Sequence, residues 1–156
     1  MIRDYVLTGA LVGMAADAVK LTVNYTAYLL NFTQVVFWQI TATRFLDKKD
    51  LFKPIAYIIG GIADLTMTAL LGVIFVYFVY YFGRRYLLIK GIGFGLAVWV
   101  GIFGTLLGST VQQKLPQSPS GIMVTMVAHL SFGLALAVFT GRLNMATIHV
   151  YKKKGS

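Results

Sequence analysis

Four ionisable side chains lie inside long apolar runs of this chain: Asp17, Lys20, Asp64 and His129. A charged group at the centre of a bilayer costs at least about 2.5–3.5 kcal/mol on insertion scales, so such groups usually face a protein interior and have a partner. Carboxylates and an imidazole in a polar pocket can relay protons or bind a cationic or polar solute. These four residues are therefore the candidates for an ion, proton or solute site.

Each candidate also has a simpler structural interpretation. Asp17 and Lys20 are three residues apart, a spacing at which a carboxylate and an ammonium pair on one helix surface. Asp64 has no cation close to it in the sequence, so Lys20 or His129 would be its partner, or it would remain protonated. A single histidine on an apolar face is also typical of a hydrogen-bonded packing residue.

The composition indicates that the solvent around these residues is lipid. Apolar residues make up 58% of the 156 residues and charged residues 12%, against about 45–50% and about 25% in soluble domains. The net charge of +9 comes from short basic segments between apolar runs. Nucleic-acid binding would instead need a basic face. We therefore expect the bilayer as partner, with basic residues setting the topology, and no nucleic acid.

Four segments have the roughly 20 largely apolar residues that a membrane-spanning helix needs. They cover residues 5–30, 54–82, 86–110 and 121–143. Lipid forces backbone groups to pair within each segment, so each is predicted to be helical. The fold prediction is an all-α integral membrane protein, a four-helix bundle in one domain over residues 1–154. Gly155 and Ser156 resemble an expression-vector scar.

The segment between the first two spans is predicted to hold one interfacial amphipathic helix, over residues 34–46. It mixes apolar and polar side chains, and Trp38 would anchor it at the headgroup level. A rival interpretation breaks the first helix near Asn24 and continues a fifth span to Thr43, but that stretch is short and polar for a span. Ala16 to Ala18 resembles a signal-peptide cleavage site, although the polar stripe continues beyond it and favours an uncleaved helix.

Small and polar residues recur at helical steps in every span and predict the faces that point into the bundle. Similar depths along the helices would place the four ionisable groups in one layer. Four polar residues would support that layer: Asn24, Thr68, Thr105 and Ser109. The stripes are Gly9, Gly13, Asp17, Lys20, Asn24, Tyr28 and Asn31; Gly60, Asp64, Thr68 and Gly72; Gly101, Thr105, Gly108 and Gln112; and Gly121, Thr125, His129, Gly133, Ala137 and Gly141.

The distribution of basic residues predicts the orientation. With a cytoplasmic N-terminus, the cytoplasmic side would hold eight Lys and Arg residues and the outer side five. The positive-inside rule then places both termini in the cytoplasm, and the protein in the cell membrane.

The motifs of common hydrolases and metalloenzymes are missing from the sequence, which has no Cys and no Glu. An enzyme is therefore not expected, and neither is a metal or a cofactor. The favoured function is a permeation or transport component that uses the ionisable layer. Four helices are few for this task, so we expect a homo-oligomer or a partner membrane protein. The alternative is a non-catalytic accessory or scaffold protein that binds a partner or organises lipid.

Overall fold

The computed structural model describes residues 4–143, and within that range it contains helices and turns but no strands. Four of its helices are long and apolar enough to cross a membrane, which confirms the predicted all-α fold of a multi-pass membrane protein. Arg3, the Lys152–Lys154 tail and the predicted scar lie outside the described residues.

Three of the spans are single helices and the other is composite. The first span is α1, Tyr5–Leu29. The short α2, Phe37–Ala42, and a 3₁₀ turn, Lys48–Asp50, precede the second span, α3, Pro54–Phe82. The third span joins α4, Leu87–Val98, a π-helix, Trp99–Leu107, and α5, Gly108–Lys114. The fourth span is α6, Pro119–Arg142.

Local chemistry explains where these helices begin and end. Asp4 caps α1, because its Oδ1 accepts hydrogen bonds from the backbone N–H groups of Val6 and Leu7 at 2.8 and 3.2 Å. Pro54 occupies the first turn of α3, where its missing N–H costs nothing. Gly83 ends that helix with a φ of 75°, a backbone conformation that glycine adopts easily.

The spans pack in the order α3, α1, α6, α4, so that α1 lies between α3 and α6 while α4 lies on the far side of α6. The second and third spans touch at one end of the bundle, where the ring centroids of Phe75 and Phe94 lie 5.2 Å apart. Towards the other end, near α2, a cleft separates them.

Glycines allow the closest helix contacts. Gly9 and Gly13 of α1 lie against Gly72 of α3, and a β-carbon at Gly72 would overlap the carbonyl oxygen of Gly9. Gly91 of α4 meets Gly133 of α6 in the same way. In lipid, such close backbone approach is a main source of helix association, since burying leucine gains little over contact with lipid tails.

The predicted inward stripes are buried in the second span and, apart from the half-buried Gly141, in the fourth. In the first span they are buried as far as Asn24, while Tyr28 and Asn31 are exposed.

The stripe predicted for the third span is wrong. Gly101, Thr105 and Gln112 are exposed and Gly108 is only half-buried. Part of this span is a π-helix, in which hydrogen bonds join residues five apart, and here the buried positions pass from Val98 to Phe103 in one step of five residues. The inward positions of this span include Gly91, Gly95, Val98 and Phe103.

A short helix lies between the first two spans, and it is shorter than the predicted 34–46. This helix, α2, packs against α3 and buries Phe37, Gln39, Ile40 and Ala42. The backbone N–H of Phe37 donates to Asn24 Oδ1 at 2.7 Å, which fastens the start of α2 to α1. The rival fifth span is absent from this region, because α1 continues unbroken past Asn24 to Leu29.

Candidate ion and solute site

Lys20 is at the centre of a buried cluster that joins two spans. Its Nζ lies 2.7 Å from Asp17 Oδ1 on its own helix and 2.6 Å from Asp64 Oδ1 on α3. The three side chains are only 0–4% exposed. Lys20 therefore forms both of the ion pairs that the sequence suggested, one with Asp17 and one with Asp64.

The cluster has one more acid than base. If all three groups are ionised, two carboxylates face one ammonium, and the cluster carries one negative charge in excess. Lys20 donates a hydrogen bond to Asp64 Oδ1. Within residues 4–143, Asp64 Oδ2 and both carboxylate oxygens of Asp17 accept no hydrogen bond, so Asp17 interacts with Lys20 through charge alone. The charges of this cluster are not balanced within it, and a buried charge that is incompletely paired is costly.

Aromatic rings surround the ammonium group. Lys20 Nζ lies 4.1 Å from the centroid of the Phe37 ring and 5.9 Å from that of Phe132. Both distances are within the range at which a cation is attracted to the face of a ring. Because Phe37 is the first residue of α2, this short helix covers the charged cluster.

His129 lies beside the same aromatic side chains. Its ring centroid is 5.5 Å from that of Phe37 and 6.4 Å from that of Phe103. His129 Nδ1 lies 2.8 Å from the carbonyl oxygen of Thr125. A carbonyl oxygen can only accept, so Nδ1 carries the hydrogen, and in the neutral ring Nε2 is left as an acceptor.

A cavity of about 600 Å³ brings these groups together. Lys20, Asp64 and His129 all line it, whereas Asp17 does not. The cavity occupies the cleft between α3 and the π-helix, with residues of α2 and the turn that follows it at one end. Its other walls are mostly apolar, with Phe37, Phe103 and Phe132 near the ionisable groups.

The opening of the cavity points to the outside of the bundle. Ile62 and Leu70 of α3 and Leu106 of the π-helix line it, and they are 64%, 55% and 65% exposed. Large apolar side chains exposed on a membrane span face lipid. The cavity is thus accessible from the side, between the second and third spans.

The structure brings two of the four predicted supporting residues to the cluster. Asn24 fastens α2 above it, and Thr68 lines the cavity while its Oγ1 donates to the carbonyl oxygen of Asp64 at 2.9 Å. Thr105 and Ser109 are exposed and do not line the cavity. The hydroxyl of Thr105 bonds instead to the carbonyl oxygen of Gly101 in the preceding turn.

Phe37, Phe103 and Arg44 are among the cavity residues that the sequence did not single out as part of a site. Phe37 and Arg44 belong to the segment that was expected to lie at the headgroup level. Phe103 stands on the π-helix, out of step with the predicted stripe. A signal for Phe37 did exist, because Asn24 is a polar residue near the end of an apolar span and needs a hydrogen-bond partner from another part of the chain.

The site offers charge and hydrogen bonds rather than metal ligands. Among residues 4–143, no three His or Asp side chains are close enough to hold a metal ion. The groups present are the Asp64 carboxylate, the His129 imidazole as an acceptor, and the Lys20 ammonium shared between two acids. An apolar wall surrounds them. Such a site can hold a proton or a small cationic or polar group.

No protein-family model, curated protein or solved structure matches this chain.

Proposed function

We propose that this protein is a small transport or permeation component of the cell membrane, with both termini in the cytoplasm. A solute or proton would reach the Lys20–Asp64 pair through the cavity between the second and third spans. The observation that supports this proposal is the meeting of Lys20, Asp64 and His129 in one cavity. A purely structural ion pair needs no such space beside it.

The ammonium group of Lys20 is shared between two acids, so Asp64 can exchange this partner for a proton or a cation. Lys20 Nζ is almost equally close to Asp17 and Asp64, at 2.7 and 2.6 Å. When Asp64 binds a proton or a cationic group, Lys20 keeps its second partner, Asp17, on its own helix. The ammonium is then never left unpaired in a medium of low dielectric constant, where an isolated charge is very costly. Asp64 is the group that exchanges, and Asp17 is the permanent partner.

The proposal is tested by proton-coupled flux in liposomes. Asp64→Asn removes the exchanging carboxylate and should abolish flux driven by a pH gradient, measured with a pH-sensitive dye trapped inside the vesicles. The matched control is Asp50→Asn, which changes a carboxylate outside the spans and should leave the flux intact. If Asp64→Asn is inserted at normal levels and the flux is unchanged, Asp64 is not the relay and the proposal fails.

The cleft also supports a second candidate, an accessory protein that receives a helix of a partner membrane protein. The exposed apolar residues at the opening, such as Ile62 and Leu106, would then form the contact. Purification in mild detergent should recover such a partner in a stoichiometric amount, and a monomer isolated alone would count against this candidate. An assembly of several copies of the chain belongs to the transport proposal and is tested by the mass of the same preparation.

A further inference from the structure

The charge and the shape of the cavity together restrict what it can bind. We propose that its ligand is a lipophilic monocation, such as a protonated amine or a phosphonium that carries apolar substituents. This inference rests on the proposed function, because it names the substrate class of the same site.

The positive charge expected of the ligand follows from the charges of the Asp17, Lys20 and Asp64 cluster. Asp17 and Asp64 face one ammonium, so the ionised cluster lacks one positive charge. Of the two acids, Asp64 is the one that can act on a ligand, since this residue lines the cavity and is 3% exposed. Its Oδ2 is buried and has no hydrogen bond from the described residues, so no neighbouring donor offsets its charge. A monocation in the cavity beside Asp64 neutralises the cluster, whereas an anion there would add a second excess negative charge.

The neighbouring groups also suit a cation. Phe37, Phe103 and Phe132 line the cavity, and the ammonium of Lys20 already lies over the Phe37 ring, so these walls accommodate positive charge. A protonated amine could also donate an N–H to His129 Nε2. Arg44 is the other basic residue that lines the cavity beside Lys20, and its side chain is exposed, so water screens its charge more than that of the buried Asp64.

The remainder of the cavity requires an apolar body. Its volume of about 600 Å³ is in the range of pockets that hold drug-sized molecules. Apart from the ionisable residues, a few threonines and Arg44, its lining is aliphatic and aromatic. The opening lies among lipid-facing side chains, so a ligand that partitions into the bilayer can enter without crossing water. A small hydrated cation would leave most of this surface unfilled.

Two probes of similar size and opposite charge test whether the cavity prefers a cation. The protein is placed in lipid nanodiscs, and binding of tetraphenylphosphonium and tetraphenylborate is measured by equilibrium dialysis against empty nanodiscs. We expect saturable binding of one tetraphenylphosphonium per site and at least tenfold weaker binding of tetraphenylborate. Equal binding of the two ions, or no saturable binding of the cation, overturns the inference.

Substitutions locate the bound cation. Asp64→Asn and Asp17→Asn each remove the excess negative charge, so each should weaken tetraphenylphosphonium binding at least tenfold, while Asp50→Asn should leave it unchanged. Ala63→Phe keeps every charge and adds an aromatic ring at a position that lines the cavity, so it should weaken binding at least tenfold. Its control is Ile58→Phe, an exposed position of α3 that does not line the cavity.

Comparison of Ala63→Phe with Ile58→Phe still tests the inference if the Asn variants do not fold. Cation binding as tight in Ala63→Phe as in Ile58→Phe would overturn the inference. The result is also independent of the flux experiment. Cation binding without Asp64-dependent flux would support the inference and reject transport, whereas Asp64-dependent proton flux without cation binding would reject the inference alone.

Discussion

Lys20 Nζ on the first span lies 2.6 Å from Asp64 Oδ1 on the second span, 44 residues further along the chain. The same nitrogen is 2.7 Å from Asp17 Oδ1. The pair therefore connects α1 and α3 through two side chains that are only 3% and 4% exposed. It adds an electrostatic contact to the interface that Gly9, Gly13 and Gly72 form further along the same two helices.

Lys20→Met should destabilise the protein strongly. The change keeps the length of the side chain but leaves two buried carboxylates without a cation, and breaking a buried pair in this way costs about 3–5 kcal/mol. The measurement is reversible unfolding in detergent. The matched control, Lys53→Met, removes the exposed Lys53–Asp50 pair, and pairs of this kind contribute little to stability.

Further substitutions test whether the unpaired carboxylates cause the loss of stability in Lys20→Met. Adding Asp17→Asn and Asp64→Asn to Lys20→Met removes the unpaired charges and should recover much of the lost stability. A Lys20→Met protein that is no less stable than Lys53→Met would show that the buried pair is not needed.

Gly72→Ala should weaken the contact between α1 and α3. Its β-carbon would overlap the backbone of Gly9 and Gly13, so the helices must move apart, and overpacking of this kind costs about 1–3 kcal/mol. Gly93→Ala is the control, because a β-carbon at Gly93 meets no atom within 4 Å. Unfolding in detergent should separate the two variants, and equal stabilities would contradict the close contact.

Asn24→Ala should release the start of α2. The backbone N–H of Phe37 then loses its acceptor at 2.7 Å, and an unsatisfied buried donor costs about 1–3 kcal/mol. Hydrogen exchange at the Phe37 amide should become faster. Thr22→Ala, an exposed change on the same helix, should leave this exchange rate unaltered. Slow exchange in Asn24→Ala would mean that another group accepts the bond.

Asp50, which lies before the second span, should titrate below the usual range of an aspartate. The hydrogen bond from Lys53 Nζ, at 2.6 Å, lowers the pKa of the Asp50 carboxyl group, and the positive charges of Lys53 and Lys49 act in the same direction. A pKa that is lower in the folded state contributes stability above the unfolded pKa, and this contribution is lost as the pH falls through the folded pKa.

The effect on stability should be small because the Lys53 side chain is 60% exposed. Titration of the carboxyl carbon by NMR should therefore show the shift more clearly than unfolding does. In Lys53→Gln the pKa of Asp50 should rise towards its usual value, and an unchanged pKa would exclude Lys53 as the cause.

Much of this architecture could be predicted from hydropathy and spacing. The four spans follow from the length of the apolar runs, and most of the inward stripes follow from steps of three and four residues. The same steps fail at Thr105 and Gly101, since a π-helix changes the period and leaves no clear mark in composition. Hydropathy also could not show that Phe37 folds back over Lys20. That position depends on Asn24 and Gly60, which only tertiary structure brings to it.

The shared ammonium has a consequence for how this protein can diverge. With a single lysine serving two acids, position 20 is not free to change ahead of positions 17 and 64. A descendant that loses Lys20 would have to lose or neutralise acids as well, while one that loses a single acid could keep the lysine. A lineage that leaves this cluster therefore has to change an acid first, and it has to keep one acid for as long as the lysine remains.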